Sequence, residues 1–182
     1  MEGVLIKEQR SPASFSPETM AEIQRLLPRF PDGRQKSALL RILHLVQEEN
    51  EGWLSTEVMD RVAKILNIQP IEVYEVATFY TMYNLKPVGK YLLELCHTGP
   101  CAIEGAERLL EYLKQKLGIG VGETTPDGLF TLKTVECMGA CGYAPMMQVG
   151  EFYHEHLTES KIDLFIEDCR DGNVALGTWK LG

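Results

Sequence analysis

Apolar residues recur at helical spacing through the first half of the chain and switch to short strand-like runs in the second. Ser16 followed by Pro17 marks a helix start, and Pro28 a stop. Leu39, Ile42, Leu43 and Val46 form a second stripe. Val58, Val62, Ile65 and Leu66 form a third, and Val73, Val76, Ala77 and Tyr80 a fourth, each with the three- and four-residue steps of an amphipathic helix. Residues 16 to 84 therefore predict a small helical bundle. After Lys86-Pro87-Val88-Gly89 the period changes. Tyr91 to Leu95 predicts a strand running into Cys96, and Ala102 to Leu117 predicts a helix that turns Ile103, Ala106, Leu110, Leu113 and Leu117 inward and closes at Gly118. Pro126-Asp127-Gly128 turns the chain into a strand from Leu129 to Val135. A hairpin follows, Met146 to Val149 and Phe152 to His156 about Gly150-Glu151, and then a closing helix from Leu157 to Cys169.

A strand-helix-strand unit followed by a hairpin and a last helix matches a thioredoxin-like layout, in which loops at one edge of a sheet come together. The expected class is α/β. It comprises an N-terminal extension (1 to 15), a helical bundle region (16 to 86) and a thioredoxin-like domain with a C-terminal tail (87 to 182). No internal repeat or low-complexity segment interrupts this order.

The 182 residues suffice for one ample core or two small ones, and 45% hydrophobic with 24% charged is an ordinary globular composition. A formal net charge of -8 opposes phosphate backbones and anionic lipid, and no basic patch offsets it. No apolar run approaches the roughly 18 residues of a spanning helix, and the N-terminus lacks the layout of a signal peptide or arginine-rich presequence. The expected setting is a soluble, reducing compartment. There, five cysteines favour metal binding or redox work over a disulfide framework.

Four of those cysteines fall in two glycine-rich turns, each after a predicted strand: Cys96-His97-Thr98-Gly99-Pro100-Cys101 and Cys137-Met138-Gly139-Ala140-Cys141-Gly142. Four thiolates suit tetrahedral zinc or a [2Fe-2S] cluster. Zinc ribbons and knuckles favour two-residue gaps, whereas these gaps are of four and three residues, which suits the wider object. A two-iron diamond with four thiolates carries about -2 or, reduced, about -3, so the protein must supply positive potential. Gly99, Gly139 and Gly142 let backbone N–H groups approach the sulfurs, and Cys101 is expected at the N-terminus of the 102 to 117 helix, whose dipole favours a thiolate. Cys169, in the last helix, reads as a buried thiol outside the site.

Rival chemistries fare worse. A Rieske arrangement needs a histidine in each loop, and only His97 is available, so it is expected beside the site or facing solvent; His44, His154 and His156 are scattered. Ala144-Pro145 precedes a strand where thioredoxins place a cis-proline, but the Cys-x-x-Cys of a dithiol oxidoreductase is missing. Gly118-x-Gly120-x-Gly122 follows a helix and reads as a helix stop, not a dinucleotide loop. No phosphate-binding loop or serine-histidine-aspartate set is present, so the expected role is an electron relay with no catalytic residues of its own.

The strand into Cys-x4-Cys, the run Glu136-Cys137-Met138-Gly139-Ala140-Cys141-Gly142-Tyr143-Ala144-Pro145, the upstream Val76-Ala77-Thr78-Phe79-Tyr80 and the Thr124-Thr125-Pro126-Asp127-Gly128 turn together carry a family resemblance. From about Phe15 to Cys169 the chain resembles the thioredoxin-like [2Fe-2S] subunit of the NADH dehydrogenase module of respiratory complex I, the NADH:quinone oxidoreductase. The resemblance implies that Cys96, Cys101, Cys137 and Cys141 bind one [2Fe-2S] cluster. It further implies electron exchange with a neighbouring subunit that binds FMN and oxidises NADH, other peripheral-arm subunits as partners, and a cytoplasmic place peripheral to the inner membrane (the matrix side in mitochondria).

The same architecture serves as a diaphorase component of NAD-linked hydrogenases and formate dehydrogenases. A zinc-stabilised docking module is a third reading. For docking, the run Tyr74, Phe79, Tyr80, Met82 and Tyr83 is the candidate surface, although a stripe at this spacing is more often core. The helix-turn-helix look of residues 55 to 80 does not predict DNA binding, because the would-be recognition helix carries Glu72 and Glu75 and no lysine or arginine.

Overall fold

The computed structural model describes residues 14–172 and 179–180. Residues 1–13 of the expected extension, and the rest of the expected tail, lie outside the described residues. The chain divides into two compact units, Met1–Pro87 and Val88–Gly182.

The first unit is helical. α1 (Pro17–Leu26) starts where Ser16 caps the Thr19 amide at 3.1 Å, with proline at the first position, and gives way to a 3₁₀ turn at Leu27–Arg29. α2 (Leu39–Glu49) follows another 3₁₀ turn, Gln35–Ala38. The Ser16 amide donates to the Glu49 carboxylate at 2.7 Å, which ties the start of α1 to the end of α2. α3 (Thr56–Leu66) is capped by Ser55 and ends at Asn67 in the left-handed region, and α4 (Pro70–Phe79) opens on its own proline. Ile23, Ile42, Leu43, Val46, Val62 and Val73 are fully buried among these helices.

Two expectations fail here. Tyr80 lies just past α4 and is exposed rather than inward. The aromatic run is divided, with Tyr83 buried and Phe79 left 77% exposed. α4 stops at Phe79, so the helical phase that would have turned the following residues inward is lost, and the Tyr83 hydroxyl instead donates to the Leu40 carbonyl at 2.8 Å.

The second unit is built on a mixed sheet. β1 (Tyr91–Cys96) pairs in parallel with β2 (Phe130–Val135), and on its other side antiparallel with β3 (Met147–Val149). β4 (Phe152–His154) and β5 (Trp179–Lys180) complete the order β2-β1-β3-β4-β5. Period-two alternation sends Leu93, Leu95, Phe130 and Leu132 into the core, while Glu94 faces its register partner Lys133 as an ion pair at 3.4 Å.

The predicted 102 to 117 helix is two helices. α5 (Gly99–Ile103) ends at Glu104, and α6 (Ala106–Leu117) starts after Gly105, whose φ of +95° is left-handed and breaks the helical path. Ile103 therefore lies outside the apolar face and is 84% exposed. Leu109 and Leu113 of α6 pack against β1 and β2 together with Ile162 and Ile166 of α7 (Glu159–Asp171), a helix capped by Thr158. Gly118 stops α6 in the left-handed region, as its position predicts. Among the described residues no helix is long and apolar enough to cross a membrane.

Candidate metal centre

Parallel pairing of β1 and β2 explains why two cysteine pairs distant in sequence meet. Cys96 is the last residue of β1 and pairs with Val135, the last residue of β2, so both cysteine turns leave the sheet at the carboxyl ends of neighbouring strands. Cys101 lies in the first turn of α5, and Cys141 opens a 3₁₀ turn, Cys141–Tyr143. Cys96 and Cys101 are buried, whereas Cys137 and Cys141 are exposed, and all five cysteines are free thiols.

The sulfurs associate in twos. Cys137 Sγ and Cys141 Sγ are 3.3 Å apart, and the Cys96 and Cys101 thiols share a hydrogen bond. Cys141 also feels the charge of Cys96, so the two pairs lie within electrostatic reach of each other. Among the described residues no group of three or more His, Cys, Asp or Glu side chains converges as around a single ion; the arrangement is pairwise.

Burial works against the Cys96 thiolate. Hydrogen bonds from the Thr98 hydroxyl and amide, from Cys101 and from the Met138 amide outweigh that cost and hold its pKa below the ordinary thiol value. Burial, with the neighbouring Cys96, pushes Cys101 up to about 11, although the Met146 amide donates toward its sulfur. Cys141 is raised chiefly by its hydrogen bond with Cys137. The Gly139 amide in turn donates to Cys137 Sγ at 3.4 Å, and Gly139 reaches that geometry with φ of +80°.

This donor set fits a thiolate-bound two-metal cluster. Burial and the neighbouring Cys96 raise the Cys101 pKa, the hydrogen bond with Cys137 raises that of Cys141, and binding to a cationic centre would offset both. Two thiol pairs are the donor set that such a cluster would use, and main-chain and hydroxyl donors aim at three of the sulfurs. The expected help from a long helix at Cys101 is absent, because Gly105 leaves α5 only five residues long; individual N–H and O–H donors supply the positive potential instead.

His97 lies beside the thiols, with Nε2 3.8 Å from Glu136 Oε1. Cys169 is buried in the core of the sheet unit, and burial raises its pKa to about 11. The Ala144–Pro145 bond is cis. Three contributors escape sequence reasoning: Thr98, whose Oγ1 is 3.5 Å from Cys96 Sγ, the amides of Met138 and Met146, and Tyr153, whose hydroxyl donates to the Met138 carbonyl at 3.0 Å. Thr98 and Met138 carried a signal, since each lies between two candidate ligands.

Residues 23–170 match the family described as thioredoxin-like [2Fe-2S] ferredoxin. The chain is 42% identical over 152 residues to NADH dehydrogenase [ubiquinone] flavoprotein 2, mitochondrial, of Dictyostelium discoideum, an alignment covering 84% of this chain and 62% of that protein. It therefore spans less than two thirds of that relative's length. It is 46% identical over 149 residues to an NADH-quinone oxidoreductase subunit of Rhizobium meliloti (strain 1021), covering 82% of this chain and 87% of the relative. Among solved structures, an NAD+-reducing [NiFe]-hydrogenase in the air-oxidized state superposes with a TM-score of 0.65 at 20% identity, over 74% of this chain and 23% of that one. That last likeness is one of fold.

Proposed function

Because the chain belongs to the thioredoxin-like [2Fe-2S] ferredoxin family, we propose that it is an electron-transfer subunit of an NADH:quinone oxidoreductase. In this reading Cys96, Cys101, Cys137 and Cys141 hold one [2Fe-2S] cluster, which exchanges single electrons with the FMN of a partner NADH-oxidising subunit. The observation that carries it is the meeting of two thiol pairs at the carboxyl ends of β1 and β2.

When bound, the cluster supplies a one-electron acceptor and donor. The protein's own contribution would be to present four sulfurs to the cluster and to aim donors at three of them. Thr98 and the Met138 amide do this for Cys96, the Met146 amide for Cys101 and the Gly139 amide for Cys137. Burial of Cys96 and Cys101 keeps one side of the site from water, while the exposure of Cys137 and Cys141 leaves the other side open to a partner. A hydride donor gives up two electrons, so a flavin must divide the pair before a one-electron centre is useful. The chain offers no nucleotide loop in its sequence, which favours a partner that does.

Affinity purification of the tagged chain from its native membranes and extracts tests the assembly. Recovery of an FMN-containing, NADH-oxidising subunit together with membrane subunits of a quinone reductase is the expected result. Recovery of hydrogenase or formate dehydrogenase subunits without such membrane subunits overturns the assignment to a quinone reductase.

A further inference from the structure

Tyr153 sits in the middle of β4, paired with Gln148 of β3 and with Trp179 of β5, and its ring packs against the small apolar cluster around Cys96, Cys101 and Met146. Its hydroxyl donates to the Met138 carbonyl oxygen at 3.0 Å. That carbonyl belongs to the peptide group joining Met138 to Gly139. The N–H of the same peptide group, on Gly139, donates to Cys137 Sγ at 3.4 Å. The three groups form a relay: phenol O–H to carbonyl, carbonyl to N–H through one planar peptide, N–H to sulfur.

A donor on the carbonyl end of a peptide polarises its N–H end and strengthens the bond that the N–H makes. A hydrogen bond to a ligand sulfur favours the more negative, reduced state of an iron-sulfur centre and raises its potential. The Met138 amide, on the other side of the same residue, donates to Cys96, so the residue that Tyr153 anchors serves a sulfur of each pair.

We propose that Tyr153 is a positioning residue that tunes the cluster: acting through the Met138–Gly139 peptide, its hydroxyl strengthens the N–H to Cys137 and raises the midpoint potential. The proposal rests on the four-thiolate reading given above. Tyr153→Phe retains the ring and its packing and removes only the donor. In the full chain, purified anaerobically, the expected result is unchanged iron and sulfide content. The EPR-monitored midpoint shifts to a more negative value, and the exchangeable-proton coupling seen by ENDOR at the reduced cluster weakens. A ring-fluorinated tyrosine at 153, whose neutral hydroxyl is a stronger donor, moves the midpoint the other way. Tyr112→Phe, which removes a phenol that donates to Asp163 at 2.6 Å in the same unit, leaves it unchanged.

An identical midpoint and identical proton coupling in wild type, Tyr153→Phe and the fluorinated protein overturn the proposal. Should Tyr153→Phe fail to load iron, the fluorinated protein decides: a raised midpoint supports the relay, an unmoved one overturns it. Failure of the four-thiolate reading is a separate result, because the wild-type chain itself then shows no [2Fe-2S] signal.

Discussion

Cys96 stands opposite Val135 in the parallel register of β1 and β2, so Cys137 leaves the sheet two residues beyond the partner of Cys96. Strand pairing, not proximity in sequence, brings the two thiol pairs to one edge. The candidate site thus depends on the ladder that fixes this register, and on the hydrogen bonds that hold the two turns after it.

Single Cys→Ser changes at positions 96, 101, 137 and 141 are expected to lower cluster content sharply, read as iron and acid-labile sulfide per chain. Cys169→Ser is expected to leave it intact, because Cys169 is buried among the core residues of the sheet unit. Normal cluster content in any one of the four variants removes that cysteine from the ligand set.

Thr98→Val keeps the shape of the side chain and removes the hydroxyl 3.5 Å from Cys96 Sγ. With a hydrogen bond to sulfur differing by about 1 kcal/mol between redox states, the midpoint falls by about 40 mV for a one-electron couple. Redox titration followed by EPR measures it. An unmoved midpoint means that Thr98 does not donate to that sulfur in the loaded protein.

Leu93 of β1 is fully buried in the core of the sheet unit, so Leu93→Ala is expected to cost about 2–5 kcal/mol of unfolding free energy. Leu164 on α7 is 61% exposed, and Leu164→Ala is expected to stay within about 0.5 kcal/mol of wild type. Denaturant titration separates the two. Equal costs would show that the α7 face has been assigned wrongly.

His154 packs edge-on against Phe165 with ring centroids 4.6 Å apart, and burial lowers its pKa. The folded chain therefore refuses a proton that the unfolded chain takes up below about pH 6.5. This contribution to stability is complete above that value. It is lost progressively as pH falls from there to the depressed folded pKa, below which the loss levels off. His44, whose pKa is lowered first by burial and then by Arg41, acts in the same direction in the helical unit. Urea midpoints should drop from about pH 7.5 to about pH 5.5, and less steeply in His154→Phe. A slope identical to wild type in that variant would remove His154 as a cause.

Much of this was legible in residue patterning. The α2, α3 and α4 stripes, the strand into Cys96, the turn at Pro126-Asp127-Gly128 and the hairpin at Gly150-Glu151 all obey local periodicity or turn chemistry, and the structure carries them. The break at Gly105 was hidden, because Ile103 and Ala106 satisfy helical spacing and only the left-handed φ of the glycine between them ends the first helix. The exposure of Tyr80 was hidden for the opposite reason: its spacing extends the α4 stripe, but the helix ends at Phe79, before that phase can be used. The hydroxyl of Tyr153 meets the Met138 carbonyl only through the β3–β4 hairpin, a contact that no local pattern encodes. The cysteine frame identified the candidate ligands, whereas the groups that would set their chemistry come from the fold.

Metal and sulfide analysis of the anaerobically purified full chain, joined to the EPR spectrum after reduction, tests the central claim most directly. The account predicts about two irons and two acid-labile sulfides per chain, with a spin-half signal that appears only on one-electron reduction. A colourless chain with one zinc, no sulfide and no such signal would contradict it.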